Sequence, residues 1–559
     1  MHQRKWLFSL IGFTFLVICI LIGIFHDTAI QSHVPQGTKS YFAIVPHFTL
    51  QEKTIENFYE FLQKEYSISS KDPLRIVLIS PDHFNSNTKN IATLCQDTPR
   101  LCYKETCVPA QTLRFFTQGE CFPNTLLQEH GLGEQFRFIQ KFFPQAKVLP
   151  IVLTPRKFAD NEALISSLQL HPFVGTTLFL ASVDFSHYTD EDFAALHDKK
   201  TFYTLNSSGS VSQYASLEVD CPSCLHVINT LAQQNHQYPQ LFLRDSSSTI
   251  AGRNLGTGNT SRQFIAYSPQ QQTGEQGFTL ALFGDAIFDR QVSSILSTPE
   301  KIDSYFKTFF QKEDPKLALS TFPHRKLFGI DFVGLNLETP TVPDPNFCQT
   351  THKTVNFCSS SSILPFLKAI GFTLVNLANN HSMDGWTQAH LETIQQIKNN
   401  GLNYIGYVRN GAYFEHNYVY KTSIRGIKVA RQGFDFTITP RGLFSGYCAG
   451  LKKNKADGYV NVVSAHRGTE YQSTHSASQE SLGKQLIDCG GDIIIGHHPH
   501  VIQDIQRYEG KPIIYSLWNF VFDMKSPPST MTGGYVLIDY HQDGKIELST
   551  WTINASVFH

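Results

Sequence analysis

The sequence is poor in charged residues and has no excess of either sign. Of its 559 residues 17% are charged, and 46 Lys and Arg against 47 Asp and Glu give a formal net charge of −1. The chain lacks the basic field with which nucleic-acid-binding proteins neutralise phosphates, so we expect no nucleic acid partner. It also lacks a G-x-x-x-x-G-K-[ST] motif and internal repeats, which excludes a P-loop nucleotide site and a repeat architecture.

Apolar and aromatic residues are abundant. Hydrophobic residues make up 41% of the chain, with 44 Phe and 22 Tyr, which is ample material for packed cores and predicts a folded protein. At roughly 150 residues per domain, the length predicts three to four domains or two large ones. The chain also has 23 His, several of them in tight clusters, and imidazole is the commonest transition-metal ligand in proteins.

The N-terminus contains one long apolar segment. Residues 6–25 read WLFSLIGFTFLVICILIGIF and carry no charge; as a helix they would span a hydrocarbon core of about 30 Å. Arg4 and Lys5 precede the segment, so the positive-inside rule places the N-terminus in the cytoplasm. We therefore expect a single-pass anchor in the cytoplasmic membrane, with everything after it extracytoplasmic. A cleaved signal peptide is the alternative, but no A-x-A-type site follows the segment.

Ten cysteines lie outside the apolar segment. An even number in an extracytoplasmic chain permits disulfides, and Cys348 with Cys358 would close a short loop. Cys221 and Cys224 form a C-x-x-C motif, but no second C-x-x-C follows to complete a structural zinc site. A disulfide, a redox pair and a metal-binding thiolate all remain open for this motif.

The polar segment PQQQTGEQG at 269–277 separates two halves of similar length. In both halves short apolar runs alternate with segments of helical apolar spacing, which is typical of α/β domains. We predict a cytoplasmic tip and anchor at 1–30, a linker at 31–40, a first domain at 41–268, a linker at 269–277 and a second domain at 278–559.

In the second half, metal-binding residue types follow strand-like runs. The motifs are GDAIFDR (284–290), NLE (336–338), NLANNHSMDG (376–385), AHRGTEY (465–471) and GHHPHV (496–501). Because ligands bind at the carboxyl ends of strands in open α/β sheets, we expect these residues to converge on one site. Carboxylate, amide oxygen and imidazole together suit two divalent cations about 3.5–4 Å apart.

These motifs, with KPIIYSLWNFVFD at 511–523, resemble the capsule-synthesis protein CapA family of poly-γ-glutamate capsules, whose fold is similar to that of calcineurin-type metallophosphoesterases. The resemblance covers about residues 278–559 and implies a four-layer α/β sandwich with two divalent metal ions (manganese, zinc or iron) at strand ends. It implies that Glu338 bridges the metals. The other implied ligands are Asp285, Asn380, His466, His498 and His500.

The resemblance also implies chemistry beside the metals. His381 would donate a proton or hydrogen bond to the substrate, while Asp384 and Glu470 are candidates for orienting the histidine ligands. Three positions depart from the family pattern. Asp285 begins no D-x-H motif because position 287 is Ile, Arg467 stands where an aromatic residue is usual, and Trp518 stands where glycine is expected.

The first half carries a second group of motifs: PHF (46–48), SPDHF (80–84), QEHGLGEQ (128–135), SVDFSHY (182–188) and CPSC (221–224). They resemble the Memo-like family, called AmmeMemoRadiSam system protein B in bacteria, whose fold is similar to that of extradiol dioxygenases. The match spans roughly residues 41–268. It implies a single iron or copper ion on His47, His83 and the Cys221 thiolate, with Cys224 as the alternative thiolate. Asp184 and His187 would line the same cleft.

Three functions follow as hypotheses. The first is a membrane-anchored envelope protein of the CapA type, acting in synthesis, export or anchoring of an anionic exopolymer such as poly-γ-glutamate. Because no phosphate loop is present, it would act with other capsule-synthesis proteins. The second is a metal-dependent envelope hydrolase of phosphoesters or γ-glutamyl bonds. The third is a scaffold that binds the polymer without turnover.

Overall fold

The structure is a computed structural model that describes residues 38–554 with internal gaps. The gaps are 69–72, 85–88, 95–98, 114–118, 122–127, 171–172, 208, 272–275, 299, 303, 306–326, 328, 349–353, 411–412, 438–443 and 525. All statements below concern the described residues.

The first half is built on one eight-stranded sheet in the order β6-β3-β7-β2-β8-β1-β10-β9, with β4 and β5 forming a separate hairpin. The strands are β1 (Lys39–Val45), β2 (Leu74–Pro81), β3 (Ile91–Thr93), β4 (Arg100–Tyr103), β5 (Thr106–Pro109), β6 (Glu120–Cys121), β7 (Lys147–Leu153), β8 (Thr176–Ser182), β9 (Tyr238–Ser246) and β10 (Ser261–Ser268). The central strands β7, β2, β8 and β1 run parallel.

Helices cover both faces of this sheet. They are α1 (Glu52–Glu65), α2 (His130–Phe142), α3 (Asn161–Leu170), α4 (Glu191–Asn206), α5 (Val211–Ala215), α6 (Pro222–Gln234) and α7 (Ser247–Ala251). Strand β2 is buried along its whole length, with Val77 packed in the core formed by α3 and α6 and Ile76 in the core formed by α1 and α2. Burial on both faces explains why this strand reads as a continuous apolar run.

The second half contains two large sheets and a two-stranded sheet formed by β13 and β14. The eight-stranded sheet has the order β17-β16-β15-β12-β11-β24-β25-β26, and the six-stranded sheet has the order β18-β19-β20-β21-β23-β22. The strands of this half are β11 (Gly277–Ala286), β12 (Phe332–Leu337), β13 (Thr341–Val342), β14 (Ser359–Ser360), β15 (Leu374–Asn376), β16 (Asn403–Asn410), β17 (Tyr413–Tyr418), β18 (Tyr420–Ile424), β19 (Ile427–Asp435), β20 (Val460–His466), β21 (Ile493–His497), β22 (Ile505–Tyr508), β23 (Lys511–Ile514), β24 (Asn519–Val521), β25 (Thr532–His541) and β26 (Ile546–Asn554).

The two sheets face each other and form a four-layer arrangement with helices outside. Apolar residues of both sheets, such as Leu280 and Val462, share one core between them. The helices are α8 (Arg290–Ile295), α9 (Leu364–Ile370), α10 (Trp386–Asn399), α11 (Phe444–Ala456) and α12 (Ala477–Asp488). Helices α9 and α10 contribute to the core on the outer face of the larger sheet, and α11 and α12 to that on the smaller sheet.

Helix α4 of the first half packs against the second half. Its Phe193 and Leu196 belong to the same core as residues of β11 and β25. Further along the helix, Lys199 pairs with Asp539 at 2.6 Å, and Tyr203 donates a hydrogen bond to the same carboxylate at 2.8 Å. The contact between the halves therefore combines an apolar end and a charged end.

The structure bears differently on two predictions, the division of the chain at 269–277 and the transmembrane anchor. The polar segment 269–277 follows β10 and leads into β11, and the division of the chain at that segment stays a prediction. The expected fold class included a transmembrane anchor, and this part is corrected. Within the described ranges no helix is both long and apolar enough to cross a bilayer, and residues 6–25 lie outside those ranges. The described residues support a mixed α/β fold.

Four disulfides are present among the described residues: Cys102–Cys107, Cys221–Cys224, Cys348–Cys358 and Cys448–Cys489. The pair Cys348–Cys358, which the sequence permitted without specifying any pairing, is one of them. The bond between Cys221 and Cys224 selects one of the three alternatives that the C-x-x-C motif left open.

Candidate metal centres

The strand-end residues of the second half meet at one edge of its two sheets. Asp285 lies near the end of β11 and Glu338 directly follows the neighbouring β12, while His466 ends β20 of the facing sheet. His498 and His500 follow β21, the next strand of that sheet. Parallel strands deliver their carboxyl ends to the same edge, so residues far apart in sequence converge.

Asp285 holds the histidine segment in place. Its carboxylate accepts hydrogen bonds from the Asn336 side chain at 2.8 Å and from the His498 backbone N–H at 3.0 Å. The Nδ1 atoms of His497 and His500 lie 3.1 and 3.3 Å from it. Burial alone would raise the pKa of Asp285, but the His497 and His500 imidazoles lower it well below its usual value.

Glu338 is the central carboxylate. It is fully buried, and its Oε1 has no hydrogen-bond partner among the described residues. That oxygen lies 3.5 Å from His466 Nε2 and 3.9 Å from His500 Nε2. Burial first, and then the negative charge of Asp285, raises the pKa of Glu338 well above its usual range. A bare carboxylate here is unfavourable, and a bound cation would remove the penalty.

Two histidines of this centre, His466 and His498, favour the neutral form that metal ligation requires. Burial, followed by the charge of His498, lowers the pKa of His466 well below its usual value. Burial and His500 lower the pKa of His498 to about 4. Donor atoms of Glu338, His466 and His498 lie within 4.8 Å of one another, and so do those of Asp285, Glu338 and His500. Glu338 belongs to both sets.

Asn380 and His381 lie beside this centre. The Asn380 Oδ1 atom is 2.8 Å from His466 Nε2. The His381 Nδ1 atom is 2.6 Å from Asp384 Oδ2, which also accepts a hydrogen bond from the Phe357 backbone N–H at 2.9 Å. The Phe357 ring packs against the imidazole at 4.4 Å. Asp384 therefore fixes the orientation of His381 and leaves its Nε2 available for proton exchange.

The departures from the family pattern have visible local structures. Ile287 has a hydrocarbon side chain, which offers no metal donor. It is fully buried in the apolar core of the larger sheet. Trp518 adopts φ +64°, the left-handed conformation that favours glycine. Its carbonyl accepts a hydrogen bond from the Asp285 backbone N–H at 2.7 Å. The glycine-like backbone geometry is thus retained beside the centre despite the large side chain.

A second cluster lies at the strand ends of the first half. His47 follows β1, His83 follows β2, and His130 begins α2. Their rings are close, with centroids 4.9 Å apart for His47 and His83 and 4.0 Å apart for His83 and His130. Donor atoms of the three lie within 4.8 Å of one another, a geometry that suits one metal ion with nitrogen ligands.

Carboxylates surround the three imidazoles. His47 Nε2 lies 3.2 Å from both Asp184 and Asp220. Burial alone would lower the pKa of His83, but hydrogen bonds to Asp220 and Glu129 raise it to about 10. His187 is more distant, with Nε2 4.0 Å from Asp184 and Nδ1 2.7 Å from the Phe185 carbonyl. Asp184 thus lies beside the imidazole cluster, and His187 lies next to Asp184.

The thiolate expected here is corrected. Cys221 is bonded to Cys224, and a disulfide sulfur is not the deprotonated thiolate that ligates metals. Its neighbour Asp220 reaches the cluster instead. Sequence reasoning also passed over His130, although QEHGLGEQ was among the motifs. The adjacent Glu129 lies 2.5 Å from His83, a contact that the sequence alone does not reveal.

The fold and these two clusters define a mixed α/β protein with a candidate metal centre in each half. Comparison with known families gives the particular relationships. Residues 279–524 match the family described as bacterial capsule synthesis protein PGA_cap, and residues 25–255 match the Memo-like protein family. Both resemblances seen in the sequence are confirmed.

Individual relatives agree with the family matches. The chain is 30% identical over 294 residues to "Capsule biosynthesis protein CapA" of Bacillus anthracis, covering 49% of this chain and 66% of that protein. It is 30% identical over 226 residues to "PGA biosynthesis protein CapA" of Bacillus subtilis (strain 168), covering 38% and 57%. A "MEMO1 family protein" of Nitrosopumilus maritimus (strain SCM1) is 26% identical over 140 residues, covering 24% and 50%. The chain thus spans less than two thirds of each relative's length.

Proposed function

We propose that this protein acts in the cell envelope in synthesis, export or anchoring of an anionic exopolymer such as poly-γ-glutamate, together with other capsule-synthesis proteins. We further propose that its second half holds two divalent metal ions and hydrolyses phosphoester or γ-glutamyl bonds. The names of the CapA relatives support the polymer class. The geometry at the sheet edge supports the metal-dependent chemistry.

The buried Glu338 carboxylate is the observation that carries the metal proposal. One of its oxygens has no hydrogen-bond partner among the described residues, and the side chain is shielded from water. Neutral imidazoles of His466 and His498 adjoin it on one side. Asp285 and His500 adjoin it on the other. Buried carboxylate oxygens are normally paired, and a bound cation would pair this one.

The residues of the centre have compatible roles in hydrolysis. When bound, divalent metal ions would supply the acidity that turns water into a nucleophile near neutral pH. Glu338 would hold both ions, with Asp285 and His500 on one and His466, His498 and Asn380 on the other. His381, oriented by Asp384, would donate a proton or hydrogen bond to the substrate at Nε2.

A second candidate site lies in the first half. We propose that His47, His83 and His130 bind a single iron or copper ion with nitrogen donors. The close approach of three imidazoles within one cleft favours this assignment over scattered structural histidines. Asp220 and Glu129 would orient the imidazoles through their hydrogen bonds.

The metal proposal is tested by elemental analysis of the full chain after loading with manganese or zinc. We expect about two equivalents bound in the second half and their loss in the His498→Ala/His500→Ala double variant, with the circular dichroism spectrum unchanged. The control variant His236→Asn removes an exposed imidazole in a turn of the first half and should bind metal like wild type. Wild-type protein that binds no metal would contradict the hydrolase and leave a polymer-binding scaffold.

A further inference from the structure

The two metal ions of the proposed binuclear centre would have unequal numbers of side-chain ligands. One set contains Glu338, His466 and His498, with the Asn380 oxygen 2.8 Å from His466 Nε2. The other contains Asp285, Glu338 and His500. Ile287, two residues after Asp285, lies in the apolar core and adds no donor. The second set therefore has three side-chain donors, one fewer than the first.

Glu470 lies beside one histidine of each set, His498 of the first and His500 of the second. Its carboxylate and the ring nitrogens of His498 and His500 lie within 4.8 Å of one another. Glu470 is partly exposed, whereas both histidines are buried. A carboxylate at this distance from two candidate ligands is close enough to share an ion with them.

The segment carrying Glu470 is fixed against the histidines. It lies between β20 and α12. The Tyr471 backbone N–H donates to the Pro499 carbonyl, between the two histidines, at 2.8 Å. The Tyr471 phenol and the Glu470 carboxylate interact electrostatically. Tyr471 also adopts φ +66°, an unfavourable conformation for a bulky residue. The backbone contact to Pro499 thus fixes the segment that carries the carboxylate.

We infer that Glu470 is a direct ligand of the metal ion at Asp285, Glu338 and His500, where it supplies the fourth donor. This inference rests on the proposed metal-binding function. It differs from the role considered from the sequence, in which Glu470 orients a histidine ligand without touching the metal. As the partly exposed member of the set, Glu470 also faces the route by which an ion or a substrate would enter.

Manganese(II) titration of the full chain, followed by electron paramagnetic resonance, tests the inference. We expect wild type to bind two ions and Glu470→Gln to bind one with unchanged affinity and the other at least tenfold more weakly. The control Glu509→Gln makes the same change in the exposed turn before β23. Because β21 and β23 are parallel, this turn lies at the opposite edge of the sheet, and the variant should match wild type.

A second variant separates a ligand from an orienting residue, because loss of either kind weakens metal binding. Glu470→His offers an imidazole at the same place, and we expect near-wild-type affinity and one additional nitrogen coupled to manganese in the spin-echo spectrum. Two ions bound equally by wild type and Glu470→Gln, or no added nitrogen in Glu470→His, would overturn the inference and leave the binuclear centre standing. Failure of wild type to bind manganese would instead overturn the proposed function.

Discussion

At the scale of single residues, the first-half cluster depends on which of two adjacent side chains reaches it. Asp220 contacts His47, whereas the Cys221 side chain forms a disulfide with Cys224 at the start of α6. Sulfur ligation would favour soft metal ions such as Cu(I), and imidazole with carboxylate favours harder ones. The structure offers Asp220 and His130 where the sequence predicted the Cys221 thiolate. The metal chemistry expected of this cluster changes accordingly.

Because nitrogen and oxygen donors replace the expected thiolate, we predict that metal binding in the first half is independent of sulfur. In a Cys221→Ser/Cys224→Ser variant we expect copper(II) to bind as in wild type, with nitrogen couplings in the paramagnetic resonance spectrum. His47→Ala should weaken binding at least tenfold, because it removes a central imidazole. An intense sulfur-to-copper absorption band in wild type, absent from the double variant, would contradict the disulfide assignment.

Much of the second-half centre could be predicted because its residues follow strands. Each of Asp285, Glu338, His466 and His498 comes at or just after an apolar run, and parallel strands bring such positions together. No comparable local rule identifies His130, which starts a helix 47 positions after His83. Nor does local sequence decide between Asp220 and Cys221, since one step along the chain changes the direction of a side chain.

At the scale of elements, the helices outside the six-stranded sheet are joined covalently. Cys448 lies on α11 and Cys489 caps the end of α12, at a sequence separation of 41. Both helices pack on the same apolar core over β20 and β21. The bond therefore fixes the layer that supports the strands carrying His466 and His498.

Removal of this bond should reduce stability more than removal of a short-range one. In the chain-entropy treatment Cys448→Ser/Cys489→Ser costs about 4 kcal/mol, and Cys102→Ser/Cys107→Ser, which opens a loop of separation 5, costs about 2 kcal/mol. Urea unfolding followed by tryptophan fluorescence and circular dichroism measures both. Equal losses in the two variants would contradict the assignment of the larger effect to the longer loop.

At the scale of the whole molecule, the two halves are held by a charged group beside an apolar contact. Lys199 of α4 pairs with Asp539 and Glu547, and His541 Nε2 lies 2.9 Å from Asp539. The adjacent Asp539 carboxylate raises the pKa of His541, with burial opposing it. Tyr203 also faces His541, at 3.4 Å from Nδ1.

This group predicts a pH-dependent contribution to stability. Because the pKa of His541 is higher in the folded protein, its stabilisation is complete below the unfolded value of about 6.5 and disappears as pH rises through the folded value. We expect His541→Gln to lower Tm by about 2 °C at pH 6 and to match wild type at pH 9, since such partly exposed pairs contribute about 1 kcal/mol or less. His236→Asn should show no such pH dependence. A difference that grew with pH would contradict the prediction.

Helix α4 would hold the two halves together even after the segment that joins them was cut. Phe193 and Leu196 are built into the core of the second half, and exposing each would cost about 1.5–3 kcal/mol. A protease that cut within residues 269–277 would therefore nick the protein without releasing its parts. The two fragments would stay together as a two-chain particle, because neither half carries a complete surface of its own.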